Sequence, residues 1–214
     1  MNNYVDVDAK LYHIWSNLCL HKNVKDISQI FAKLKTAYAP YENGFHSLSN
    51  HIYPGFKELN KVIDMADFPN ALKFAWFFHN SINVPGSKTN REDSISFFYD
   101  ALKGQGLNDN FFLIVQNDIM ATDYVNVEPK TPDEKIMISL DLALLGLPQE
   151  QFDRNTGLLR LEHKMYSDEE FKKGVVERFN FFLDKKPIFP IKYFEEKYEA
   201  QAKENMTRLI KEYS

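Results

Sequence analysis

Apolar residues recur every three or four positions along most of this chain, which is the period of a helix with one buried face. Near the start, Leu11, Ile14, Trp15 and Leu18 share such a stripe. Ile27, Ile30, Phe31 and Leu34 mark a second helix over residues 24–38. Pro40 and Asn43-Gly44 then predict a loop over 39–49. Helical character resumes over 51–65, with Pro54-Gly55 delaying its first regular turn. Pro69-Asn70 introduces a strongly apolar helix, Ala71-Leu72-Lys73-Phe74-Ala75-Trp76-Phe77-Phe78, that carries His79 at its end.

Two later helix starts are signed by their polar residues. Thr131-Pro132-Asp133-Glu134 combines a capping box with proline at the first helical position, and Gly146 followed by Pro148 stops that helix. Ser167-Asp168-Glu169-Glu170 is a second capping box, leading into 171–183. Asn108-Asp109-Asn110 suits a cap for 111–120, although that apolar run also fits a buried strand. Residues 193–213 read as a charged helix with a modest apolar stripe. No repeat, low-complexity tract or linker divides the sequence. The pattern predicts an all-α fold, one domain over 1–214 with a C-terminal helical extension.

Composition narrows the class. A chain of 214 residues can bury a sizeable core, and its 18 phenylalanines supply much of one. The net charge of -4 argues against a nucleic-acid surface. Cys19 is the single cysteine, which excludes an intramolecular disulfide and a multi-cysteine zinc cluster. Residues 1–10 are polar and acidic, unlike a signal peptide, and no apolar run is long enough to span a bilayer. The expectation is a cytoplasmic protein without a membrane partner.

Two polar residues stand on apolar helical faces. The one-turn neighbours of Asp141 are Met137, Ile138, Leu144 and Leu145, so its carboxylate needs an arginine, a metal, a raised pKa or a local hydrogen bond. His79 has Ala75 and Trp76 one turn before it and Ile82 one turn after. A hydrogen-bonded core histidine is the common explanation of such a position, and asparagine, as in Asn80, is common at helix ends. His51 opens another helix and either faces the same pocket or lies exposed. Two imidazoles and a carboxylate together suit a divalent transition metal. Glu92 and Ser94, in Asn90-Arg91-Glu92-Asp93-Ser94, read most simply as a helix start with Asn90 as cap. Phosphate-binding glycine loop, dinucleotide fingerprint and nucleophile elbow are all missing.

From about Phe31 onward the chain resembles the HD-domain superfamily of metal-dependent phosphohydrolases, most of all a small bacterial branch known as predicted HD phosphohydrolases. The resemblance is carried by Phe45-His46-Ser47-Leu48-Ser49-Asn50-His51-Ile52, Trp76-Phe77-Phe78-His79-Asn80 and Asn90 to Ser94. It continues through Ile119-Met120-Ala121-Thr122, Asp141-Leu142-Ala143-Leu144-Leu145-Gly146, Arg160-Leu161-Glu162 and Glu199 to Asn205. It implies a helical bundle whose His…His-Asp…Asp set holds one or two divalent metals, of manganese, iron, zinc or magnesium type. His51, His79, Asn80 and Asp141 would be the ligands, Glu92 would orient or deprotonate the attacking water, and His46 would lie at the pocket edge. The implied substrate is a nucleotide or another small phosphate ester.

Several positions depart from the family's pattern. Asn80 stands where the family has aspartate, so a neutral carbonyl oxygen replaces a charged ligand. Ser139 replaces the first acid of an Asp-x-Asp-Leu motif, Arg91 the first of two paired glutamates, and Tyr124 a histidine. His51 aligns only with a one-residue insertion, without which Asn50 takes its place, and an arginine expected before Phe45 is missing. These changes leave three readings: a phosphohydrolase with one weakly held metal, an inactive HD-type protein that binds a ligand or protein partner, and a structural helical adaptor.

Overall fold

The computed structural model describes residues 6–214, and among these every regular element is helical. The leader-free start read from residues 1–10 lies partly outside them. Ten α-helices follow one another: α1 Val7–His21, α2 Ile27–Tyr38, α3 Tyr53–Val62, α4 Pro69–Phe78 and α5 Asn90–Leu102. Then come α6 Asp109–Met120, α7 Pro132–Leu142, α8 Gln149–Glu162, α9 Asp168–Asp184 and α10 Lys192–Tyr213. None is long and apolar enough to cross a membrane.

Local chemistry fixes most boundaries. Thr131 Oγ1 accepts the Glu134 N–H at 3.2 Å while the Glu134 carboxylate accepts from Thr131, and Ser167 with Glu170 repeats the arrangement. The Asn108 side chain accepts the Phe111 N–H at 2.9 Å. That cap settles 109–120 as helix rather than strand, and Phe111, Val115 and Ile119 bury one face at helical spacing.

The structure differs from the sequence pattern in four places. α2 starts at Ile27 because the chain first turns at Asn23, whose φ of 56° ends any helix there. α4 stops at Phe78, so His79 closes the helix and Ile82 lies beyond it. Asn90 is inside α5 rather than capping it; its amide accepts the Val84 N–H and donates to the Val84 carbonyl, both at 2.9 Å. α8 is an element that the sequence pattern leaves unassigned, since Phe152 is its one buried residue.

α4 is the axis of the core. Its residues Phe74 to Phe78 are all buried, as expected for a helix apolar on every side. Trp15 of α1 meets Phe74 and Phe77 edge-on, each at 5.3 Å, and Phe56 of α3 lies 4.5 Å from Phe77. α6 packs along the opposite flank through Phe111, 5.4 Å from Phe74. At the other end, α10 lies on α9 and on the short turn Ala143–Gly146 that follows α7. Asn205 Nδ2 donates to the carbonyls of Leu145 at 2.9 Å and Leu147 at 2.8 Å, which anchors that turn. A β-carbon on Gly146 would stand 2.4 Å from the Tyr198 carbonyl oxygen, so only glycine permits this approach.

Candidate metal centre

The end of α4 aims His79. Its Nδ1 donates to the Trp76 carbonyl at 2.9 Å, and the Trp76 indole stacks on the imidazole at 4.3 Å. Trp76 Nε1 in turn donates to the Ile52 carbonyl at 2.9 Å and so joins α4 to the segment carrying His51. That segment, Leu48–Ile52, is a single π-helical turn opened by Ser47, whose Oγ accepts the Asn50 N–H. His51 is buried within it at 5% exposure, which resolves the choice between pocket and surface.

The chain after His79 is held just as closely. The Ile82 N–H and carbonyl both bond to Ser94 Oγ, at 3.1 and 3.2 Å, and the Asn83 N–H donates to the Tyr41 hydroxyl at 3.0 Å. Ser94 therefore serves the loop that presents Asn80.

Three donor atoms converge here. His51 Nε2 lies 3.0 Å from His79 Nε2 and 3.1 Å from Asp141 Oδ1, and His79 Nε2 lies 3.6 Å from the same oxygen. Because His79 Nδ1 carries the proton given to Trp76, a neutral ring has its lone pair on Nε2, facing the other two groups. At that distance the two nitrogens either share a hydrogen, donated by the Nε2–H tautomer of His51 to the His79 lone pair, or flank a cation. Burial depresses His51 to about 4 against the opposing pull of Asp141, which keeps the ring neutral and able to act as a ligand near pH 7. Burial alone would raise Asp141, but the hydrogen bonds from His51 and His79 outweigh it and hold the carboxyl well below its ordinary range. The Tyr124 hydroxyl donates to Asp141 Oδ2, leaving Oδ1 for the histidines. The Asn80 amide nitrogen is 3.3 Å from His51 Nε2, and rotating the amide exchanges it for the carbonyl oxygen, the atom suited to a cation. The buried His51-His79-Asp141 group could hold a metal ion.

His79, Asn80 and Asp141 open onto a cavity of about 540 Å³. His46 lines it as well, its ring centroid 5.6 Å from that of His51. Glu162 of α8 accepts both the backbone N–H and the Nδ1–H of His46, each at 2.7 Å. Gly44 leaves room for this, since a β-carbon there would stand 2.3 Å from Glu162 Oε1. Glu92 is not brought to the cavity; it is exposed on α5, and its neighbour Arg91 lines the wall instead.

Glu162, Tyr124, Arg91 and Arg178 were not singled out from the sequence as site residues in these positions. Glu162 and Tyr124 carried a partial signal, one within Arg160-Leu161-Glu162 and the other close after Ala121-Thr122. Arg178 carried none, being one of many charged residues on α9. No protein-family model, curated protein or solved structure matches the chain.

Proposed function

We propose that this protein is an HD-type metal-dependent phosphohydrolase acting on a nucleotide or another small phosphate ester. The observation that carries the reading is the convergence of His51 Nε2, His79 Nε2 and Asp141 Oδ1 within 4.8 Å of one another at the wall of a ligand-sized cavity. The order of motifs that resembles HD-domain proteins agrees with it. A divalent metal bound there supplies an activated water and neutralises phosphate charge.

The chain's own groups have separable tasks. His79 and His51 present neutral nitrogens, and Asp141 contributes the single full negative charge. Tyr124 fixes the orientation of that carboxylate. His46, with Nδ1–H committed to Glu162, turns Nε2 to proton transfer at the departing oxygen of the ester. The apolar wall residues Phe45, Leu142 and Leu145 exclude water from the reacting centre.

A second reading is an inactive HD-type protein that binds a ligand or a protein partner. Two observations favour it: the neutral Asn80 at the centre, and the exposed position of Glu92 away from the cavity. Metal analysis of protein purified without chelator, followed by titration with manganese, iron and zinc, separates the two. Stoichiometric binding that disappears in His79→Ala supports the hydrolase. Absence of binding at millimolar metal supports the second reading.

A further inference from the structure

Two guanidinium groups line the cavity that contains Asp141 and His79, and neither has a carboxylate partner. Arg91 of α5 donates from Nη2 to the Thr122 carbonyl at 2.7 Å, and its Nε–H finds no acceptor. Its guanidinium carbon lies 6.0 Å from the centre of the Tyr124 ring, whose hydroxyl donates to Asp141. Arg178 of α9 faces the same space and is exposed to it. Among the described residues neither arginine forms an ion pair within 4.0 Å. Asp123 forms no ion pair with either; its oxygens accept from the Val125 N–H and from the backbone and side-chain amides of Asn126. The other cavity charges are engaged too: Asp141 with its histidines, and Glu170 in the Ser167 capping box.

Two like charges lining one cavity repel: desolvation first and then Arg91 pull the Arg178 guanidinium below its ordinary range, and an anion between them relieves the arrangement. Arginine is suited to this because its planar donors match two oxygens of a phosphate at once. The wall is mixed, and Phe45, Phe152, Phe179 and Phe182 form its aromatic part beside polar residues such as Asn83 and Asn155. The volume of about 540 Å³ falls among those of small-molecule sites, roughly 300–1,000 Å³.

We propose that Arg91 and Arg178 form a seat for the phosphate of a phosphomonoester whose body is aromatic or apolar and packs on the phenylalanine wall. The proposal deepens the hydrolase reading and rests on it for the fate of the ester, but the binding step stands apart from any metal. It gives the phosphate two cationic partners that belong to the chain itself.

The test is calorimetric titration of chelator-treated protein with phenyl phosphate, inorganic phosphate and phenol. Phenyl phosphate should bind more tightly than either fragment. Arg178→Gln and Arg91→Gln should each weaken phenyl phosphate by about 10- to 100-fold, as expected for charge-assisted hydrogen bonds, and leave phenol unchanged. Arg178 is exposed, so its variant keeps the test decisive if loss of the Thr122 contact unfolds Arg91→Gln. Unaltered phenyl phosphate affinity in a folded Arg178→Gln, or equal weakening of phenol, overturns the proposal. Parallel titration of the natural chain with manganese separates the two ideas. Phosphate binding retained without any metal binding in the natural chain supports the arginine seat and sinks the hydrolase; metal binding without phosphate binding does the reverse.

Discussion

Glu162 grips His46 at two points, accepting its backbone N–H through one carboxylate oxygen and its ring Nδ1–H through the other, both at 2.7 Å. The pair fixes ring rotation and tautomer together, the arrangement used where an imidazole must hand over a proton from its far nitrogen. Loss of either member should therefore lower hydrolysis of phenyl phosphate by about 100-fold or more. The Glu162→Gln, His46→Asn double variant should be scarcely worse than either single one, because residues acting as a unit are not additive. Steady-state rates of the three variants decide it, and independent, multiplicative losses would remove the dyad from the mechanism.

Asn80→Asp should tighten metal binding. The substitution places a second full negative charge 3.3 Å from His51 Nε2, where the chain now has a neutral amide. A charged ligand in place of a carbonyl should lower the dissociation constant for manganese or zinc by about 10-fold or more. Unchanged affinity in a metal titration would mean that residue 80 does not reach the cation.

Gly55→Ala tests the link between packing and the centre. Its new methyl would fall 2.0 Å from Trp76 Cζ2, and the indole has no free space behind it because it stacks on His79. Overpacking of this kind costs about 1–3 kcal/mol. Thermal denaturation should show the loss, and metal affinity should drop with it, since the displaced ring carries the carbonyl-to-imidazole alignment of residues 76 and 79.

These centre residues were legible to different degrees. His79 and Asp141 could be read because a polar group on an apolar helical face contradicts its surroundings. His51 was ambiguous because the π-helical turn that carries it inward has no short-range signature. The helix of Glu92 was readable, but its facing was not. Neighbouring residues on a helix point about 100° apart, so only the packed bundle shows that Arg91 meets the cavity and Glu92 meets solvent. The all-α fold itself came through because capping boxes and apolar spacing agree at most helix starts, and it faded at α8, where a single buried residue, Phe152, defines the face.

Asp118 of α6 predicts a loss of stability between pH 4 and pH 8 that arises outside the metal centre. It is 1% exposed, its Oδ2 has no partner, and burial with nearby Asp133 and Glu134 pushes its carboxyl up to about 8. The folded chain therefore keeps a proton that the unfolded chain releases near pH 4, so the native state binds more protons between those values. Stability should be unaffected below about pH 4 and fall as pH rises towards 8, by at most about 1.4 kcal/mol per unit. In Asp118→Asn the decline in Tm between pH 4 and pH 8 should be smaller than in the natural chain. Parallel declines in the two proteins would show that Asp118 is not the source.

The stacking of Trp76 on His79 gives the protein an internal optical reporter. The chain has two tryptophans, and the other, Trp15, packs against Phe74, Phe77 and Phe78 rather than on a histidine ring. Any event that puts positive charge on the imidazole brings a cation against the indole face, an interaction to which the ring's π-electrons respond directly. A paramagnetic ion at the same place would quench one emitter and spare the other. Intrinsic fluorescence, with no label attached, should thus read out what occupies the histidines while Trp15 supplies the reference signal.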